Sequence, residues 1–218
     1  MPALVDTILM TILALIIAGP LGIFAAIYLV EYAKRGNKIV GLIRITADTL
    51  SGIPSIVYGL FGLLFFVTRL KWGYSLMAGG CTLAIMILPL IMRTTEEALK
   101  AIPDAYREGS FGLGAGKLRT CFSVIIPPAV PGIMAGIILA IGRIVGETAA
   151  LIYTAGTVAA MPSGFFASGR TLAVHMYVLS SEGLYMKQAY ATAVVLVILV
   201  VVINSTSSYL AKQIGKGN

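Results

Sequence analysis

The chain has 218 residues, 58% of them hydrophobic and 11% charged, with a formal net charge of +7 and a mean hydropathy of +0.95. Soluble domains carry about 25% charge, so this composition excludes an ordinary soluble fold and points to an integral membrane protein. The excess of positive charge does not point to nucleic acid, because no basic helix or aromatic–basic platform accompanies it.

The length suits one all-α polytopic domain of about five spans, each needing roughly 20 apolar residues. Residues 7–30 read as the first span, with a kink expected at Pro20. Asp6 precedes it and no Lys or Arg does, so the charged start of a signal peptide is missing. A charged turn, E-Y-A-K-R-G-N-K, occupies 31–38. Arg44 and Asp48 then stand four apart, which predicts that they pair on one helix face near the water interface. Gly52 and Pro54 break that helix, and 54–68 reads as the second span. The turn R-L-K-W-G-Y carries the interfacial aromatics Trp72 and Tyr74. The third span covers 76–92, the fourth 124–151 and the fifth 190–210. Residues 152–189 hold glycines, Pro162, Arg170 and His175, and read as an outer segment that is partly re-entrant or lies in the interface.

Between the third and fourth spans runs the most polar stretch of the chain. Nine of its 25 Lys, Arg, Asp and Glu residues fall in 93–131, so the loop 93–122 must lie outside hydrocarbon. Thr94 and Glu97 have capping-box spacing and predict a helix start. Pro103 suits the start of a second short helix, and Gly112, Gly114 and Gly116 supply a sharp turn. Such a loop is suited to being gripped by a partner; the plainer alternative is a solvated connection.

Five spans put the termini on opposite sides. Eleven of the sixteen Lys and Arg residues, including those of the 93–122 loop, then fall on one side. Four (Arg69, Lys71, Arg170, Lys187) fall on the other, and Arg143 lies within a span. The positive-inside rule makes the eleven-charge side cytoplasmic, with the N-terminus outside and the C-terminus inside.

The sharpest chemical feature is I-G-R-I-V-G-E-T-A-A in the fourth span. Arg143 and Glu147 are four apart and predict one helix face. An ionised group at that depth costs a few kcal/mol or more unless it is paired or faces water. A guanidinium fork suits a tetrahedral oxyanion. Glu147 would pair Arg143 when the path is empty and accept a hydrogen bond from a protonated phosphate. The alternative is a salt bridge that only fixes register. Gly132 with Gly136, and Gly142 with Gly146, give two G-x-x-x-G spacings that allow close helix approach.

Three stretches carry a family resemblance. Glu108-Gly109-Ser110, three residues, Gly114, nine residues, then V-x-I-P ending at Pro127 resembles the E-A-A-x3-G-x9-I-x-L-P pattern of bacterial ABC importer permeases of the binding-protein-dependent, MetI-like family. It departs at Gly109, Ser110, Val124 and Ile126 and keeps the spacing, Glu108, Gly114 and Pro127. The run G-R-x-x-G-E-T-A-A-L, with G-I-P-S-I-V-Y-G-L-F-G at 52–62 and T-L-A-V-H-M-Y from Thr171, is similar to the A-type permease subunits of phosphate importers. The resemblance implies an inner-membrane heterodimer with a second permease, two cytoplasmic ATPase subunits that bind ATP and Mg, and an extracytoplasmic phosphate-binding protein. It also implies that Glu108, Gly109, Ser110 and Gly114 shape an ATPase-docking loop, and that Arg143 and Glu147 line the substrate path. That family usually has a further span ahead of the stretch that begins here at Met1, which implies a naturally shortened or an incomplete chain.

G-L-G-A-G-K-L at 112–118 fails the phosphate-loop pattern, since Phe111 stands at the first glycine position and Leu118 at the Ser/Thr position. The chain is therefore expected to hold no cofactor of its own and not to be an enzyme. The single histidine and the lack of a membrane-embedded Ser-His pair argue against an intramembrane hydrolase. A permease for phosphonate, sulfate or molybdate, and a non-transporting scaffold, are the alternatives.

Overall fold

The structure, a computed structural model, describes residues 1–34, 36–183 and 185–216, apart from the side chains of residues 182, 207 and 210–216. Arg35 and the basic side chains of the tail, counted above on the cytoplasmic side, fall outside that description.

Every element among the described residues is helical. They are α1 (Pro2–Ile27), α2 (Lys38–Ser51), α3 (Ser55–Gly62), α4 (Leu76–Lys100), α5 (Asp104–Gly112), α6 (Lys117–Thr120), α7 (Ile126–Val145), α8 (Ala149–Ile152), α9 (Leu172–Glu182) and α10 (Met186–Lys216). π-helical turns extend α1 over Tyr28–Tyr32, extend α3 over Leu63–Arg69, and join α6 to α7 over Cys121–Ile125. Among the described residues, four helices are long and apolar enough to cross a membrane, or five if α2 and α3, bent by 101°, count as one broken span. α1 passes through Pro20 as one helix.

Small residues set the helix spacing, as expected where lipid offers no hydrophobic drive between helices. α1 and α4 run parallel, with Leu13 over Gly80 and Ile91 over Gly22, where an added Cβ would stand 2.9 Å from Ile91 Cγ2. α7 runs antiparallel to α4. Gly132 lies against Ala98, and Gly136 lies against Thr94. The first G-x-x-x-G spacing is therefore spent inside the chain, whereas Gly142 has open space beside it. Met10, Ala14, Leu83, Met86, Ile87, Ile91, Ala140 and Ile144 fill the seam between the three helices.

Several expectations are corrected at the end of the bundle that carries the polar loop. Thr94 and Glu97 do not start a helix; α4 runs unbroken to Lys100. The Thr94 hydroxyl donates to the Leu90 carbonyl (2.9 Å), and Glu97 accepts from Arg93 Nε (3.1 Å). Thr95, Glu96 and Leu99 stay buried there, so packing carries the helix past a local cap signal. Arg44 and Asp48 do not pair with each other. Arg44 Nε lies 2.7 Å from Glu96, which Lys100 also meets at 2.6 Å, and Asp48 faces Arg93 at 3.4 Å. Partners on α4 outcompete a neighbour one turn away.

The opposite end is closed by the segment after α8. Helix α4 starts with its first amides satisfied: the N–H groups of Ser75, Leu76 and Met77 donate to the carbonyls of Thr154, Ala167 and Phe165 at 3.0, 3.0 and 2.8 Å. The Ser75 hydroxyl accepts from Ala78 N–H at 3.2 Å. Asp6 is not ahead of the first span but within α1 and fully buried. Its Oδ2 accepts Arg170 N–H (3.0 Å), and Thr7 Oγ1 accepts Leu172 N–H (3.0 Å), pinning this segment to α1. Trp72 stacks on Phe66 (5.3 Å between centroids) and meets Phe166 edge-on at the same end.

Candidate functional site

Two places collect the polar groups of the sequence. The first is the loop between α4 and α6. Pro103 caps the start of α5, and Asp104 occupies its first turn. Past α5 the chain reverses through Gly114 at φ +79°, a conformation that glycine adopts without a Cβ penalty. Leu113 N–H bonds to Gly109 carbonyl (3.1 Å) and Ala115 N–H to Ser110 carbonyl (3.1 Å), closing the turn. The Ser110 and Thr120 hydroxyls stand 2.8 Å apart and brace α5 against α6. Glu108 and Gly109 are exposed. Leu113 is 91% and Leu118 69% exposed, so the loop presents bare apolar side chains to whatever it meets.

What holds this loop is a residue that sequence reasoning passed over. Arg107, next to Glu108, turns inward. Its Nη2 reaches Glu31 Oε1 (2.7 Å) and the Leu99 carbonyl (3.0 Å). Its Nη1 reaches the Ile102 carbonyl (2.9 Å) and Asp104 Oδ1 (3.1 Å). Only 16% of the Arg107 side chain and 10% of the Glu31 side chain are exposed. Donating to the Glu31 carboxylate raises the guanidinium pKa above its ordinary value against the cost of burial. One planar fork thus joins α5, the end of α4 and the π-turn of α1.

The second place lies midway along the bundle. With Gly132 beside Ala98 and Gly136 beside Thr94, the same antiparallel register brings Arg143 level with Ile87, near the middle of α4. Arg143 is half-buried. The expected shared face with Glu147 is corrected: α7 ends at Val145, Gly146 turns the chain, and Glu147 falls in the break before α8. No ion pair joins the two among the described residues. Glu147 Oε1 instead accepts Ala150 N–H (3.1 Å) and caps α8. The carboxylate satisfies one amide that a helix start leaves open, which competes with continuing α7. The second carboxylate oxygen makes no hydrogen bond among the described residues.

α3 completes this second site. An added Cβ on Gly59 would stand 2.8 Å from Ala150 Cα, so α3 and α8 touch backbone to backbone. This joins two of the stretches that carry the resemblance. Tyr58 donates to the Leu50 carbonyl (2.7 Å), bracing the bend between α2 and α3, and lies within electrostatic reach of Arg143. Two broken helices therefore meet beside one cation.

Among known proteins, the Bacillus subtilis protein named Probable ABC transporter permease protein YqgI is 37% identical over 94% of this chain and 74% of its own length. Phosphate transport system permease protein PstA 1 of Mycobacterium tuberculosis is 38% identical over 71% of this chain, and PstA of Yersinia pestis is 41% identical over 67%. The chain spans about half the length of these two relatives. The inward-facing MetNI methionine ABC transporter superposes with a TM-score of 0.74 at 21% identity, covering 98% of this chain and 93% of that one. A bacterial ABC transporter involved in import of the acidic polysaccharide alginate gives 0.74 at 14%, covering 97% and 78%. These structures share the fold. Residues 18–217 match one family throughout, and the chain belongs to it: the binding-protein-dependent transport system inner membrane components.

Proposed function

We propose that this chain is the membrane-spanning permease subunit of an ATP-driven importer for inorganic phosphate. The observation that carries the reading is Arg143: half-buried at mid-depth, making no ion pair among the described residues, beside two helix breaks. A guanidinium at that depth needs water or an anion. The first turn of α3 carries no side-chain cap, so its amides add positive potential near Tyr58. The open oxygen of Glu147 suits the O–H of a protonated phosphate, which sulfate lacks. The names of the PstA relatives support phosphate as the cargo.

In this reading the polar loop lies in the cytoplasm, with the N-terminus outside and the C-terminus inside a bacterial inner membrane. Glu108, Gly109, Ser110 and Gly114 shape the knob that an ATPase grips. Two such ATPases hold ATP and Mg and do the hydrolysis, and this chain does no chemistry of its own. A second permease completes the path, and a phosphate-binding protein delivers cargo at the opposite end. The open side of Gly142 and the bare apolar face of α10 leave room for that second permease and for lipid. Hydrolysis rocks the helices around the Arg143 level.

The test is uptake of radiolabelled phosphate by the complex in proteoliposomes, with sulfate, molybdate and a phosphonate as competitors. Unlabelled phosphate competes and these three do not if the reading holds. Stronger competition by another oxyanion reassigns the cargo, and absence of any ATP-driven uptake reduces the chain to a scaffold.

A further inference from the structure

A basic cleft of about 860 Å³ opens at the polar-loop end, between the turn after α1, the start of α2, the end of α4 and the α5–α6 loop. Its cations fall into two sets. Arg44 and Lys100 are spent on Glu96, and Arg107 on Glu31 and Asp104. Lys34, Lys38 and Lys117 line the same cleft, are exposed, and make no ion pair among the described residues. Three ammonium groups from two separate segments thus face one concavity whose remaining charges are already neutralised. A concave wall focuses such a field and concentrates anions.

Beyond the rim of the cleft at Lys38, α2 carries bare aliphatic side chains. α2 begins there, its first amides capped by the Asn37 side chain, which accepts Ile39 N–H at 2.9 Å. Ile39 and Leu42 lie outside the cleft lining, one and four residues on from Lys38 along α2, and are 66% and 63% exposed. Cations in a cleft with a bare aliphatic edge running from it match an amphiphile better than a wholly hydrated ion. Basic pockets between helices at a membrane surface hold phosphate headgroups by this means.

We propose that this cleft binds the phosphodiester headgroup of an anionic phospholipid, with Lys34, Lys38 and Lys117 around the phosphate and an acyl chain along Ile39 and Leu42. The lipid bridges the α1–α2 turn to α6 and so steadies the loop that carries Glu108. This rests on the polar loop lying at the inner membrane surface, as proposed above. It does not depend on which anion is transported.

The test is native mass spectrometry of the full chain released from micelles, with phosphatidylglycerol or phosphatidylcholine added, and separately with inorganic phosphate. Wild type retains phosphatidylglycerol over phosphatidylcholine. The K34Q/K38Q/K117Q variant loses that retention by roughly tenfold or more. If the triple variant does not fold, K117Q alone carries the comparison, with a smaller loss. Equal retention of the two lipids, or equal retention by wild type and variant, overturns the proposal. Lysine-dependent capture of inorganic phosphate without lipid preference assigns the cleft to a soluble anion, and displacement of lipid by added ATPase subunits assigns it to a protein contact; either overturns the lipid. The readout involves no transport, so its failure leaves the permease reading intact.

Discussion

Arg107 Nη2 and Glu31 Oε1 stand 2.7 Å apart although 76 residues separate them in the chain. The pair ties the knob-bearing helix α5 to the end of the first membrane helix, and Arg107 also holds the Leu99 and Ile102 carbonyls. A push on α5 is therefore delivered directly to α1 and α4. Removing one partner of a buried pair costs about 3–5 kcal/mol, because the other charge is left uncompensated. Arg107→Ala and Glu31→Ala should each lower the thermal unfolding midpoint in detergent and lower uptake per ATP hydrolysed. Arg107→Lys should behave more like the alanine variant, since one ammonium cannot span four acceptors. A lysine variant with wild-type stability and coupling would remove the fork from the account.

Gly114 tests the knob itself. Nothing lies within 4 Å of where its Cβ would be, so any penalty comes from the backbone at φ +79°. Gly114→Ala should destabilise the turn by about 1–2 kcal/mol, and Gly114→Asn by less, because asparagine tolerates this region better. Gly114→Asp should additionally uncouple ATP hydrolysis from uptake. ATPase-to-uptake ratios measured for the three variants check this order.

Gly59 tests the contact between α3 and α8. A methyl group there meets the Ala150 backbone, which cannot step aside as a side chain can. Gly59→Ala should cost about 1–3 kcal/mol, read as a lower unfolding midpoint, and should reduce uptake by shifting Tyr58 relative to Arg143. Gly19→Ala, with nothing within 4 Å of its Cβ, is the control and should be near neutral.

His175 gives the opposite end of the molecule a pH dependence. Burial, then the nearby Arg170 charge, lowers its pKa below the ordinary 6.5. The unfolded chain thus takes up a proton at a pH where the folded chain does not. Stability should fall as pH drops through about 6.5 and level off below the folded pKa. His175→Gln should flatten that acid limb in thermal melts recorded from pH 7.5 to 5.

The apolar runs were readable because a bilayer demands about 20 such residues per crossing, and the glycine turn at Gly114 was readable because little else adopts its conformation. Three features were not. The helix spacing of Arg143 and Glu147 suggested one face, but Gly146 and the Glu147 cap end the helix between them. Thr94 and Glu97 look like a helix start, and only the burial of Glu96 and Leu99 against other elements shows why the helix continues. Arg107 sits beside the quoted Glu108, yet its partner Glu31 lies far away in sequence, and no local pattern announces a contact of that range. The buried Asp6 left a fainter sign: an acid at the head of an apolar run needs a partner, and Arg170 N–H supplies one.

The most direct measurement is ATP-driven phosphate uptake by the assembled complex carrying Arg143→Ala or Arg143→Lys, with ATP hydrolysis and assembly followed in parallel. The account predicts that the alanine variant assembles and hydrolyses ATP but imports at background level. It predicts that the lysine variant recovers only a minor part, since a point charge replaces a planar fork. Wild-type uptake by the alanine variant would contradict the claim that the mid-depth guanidinium handles the anion.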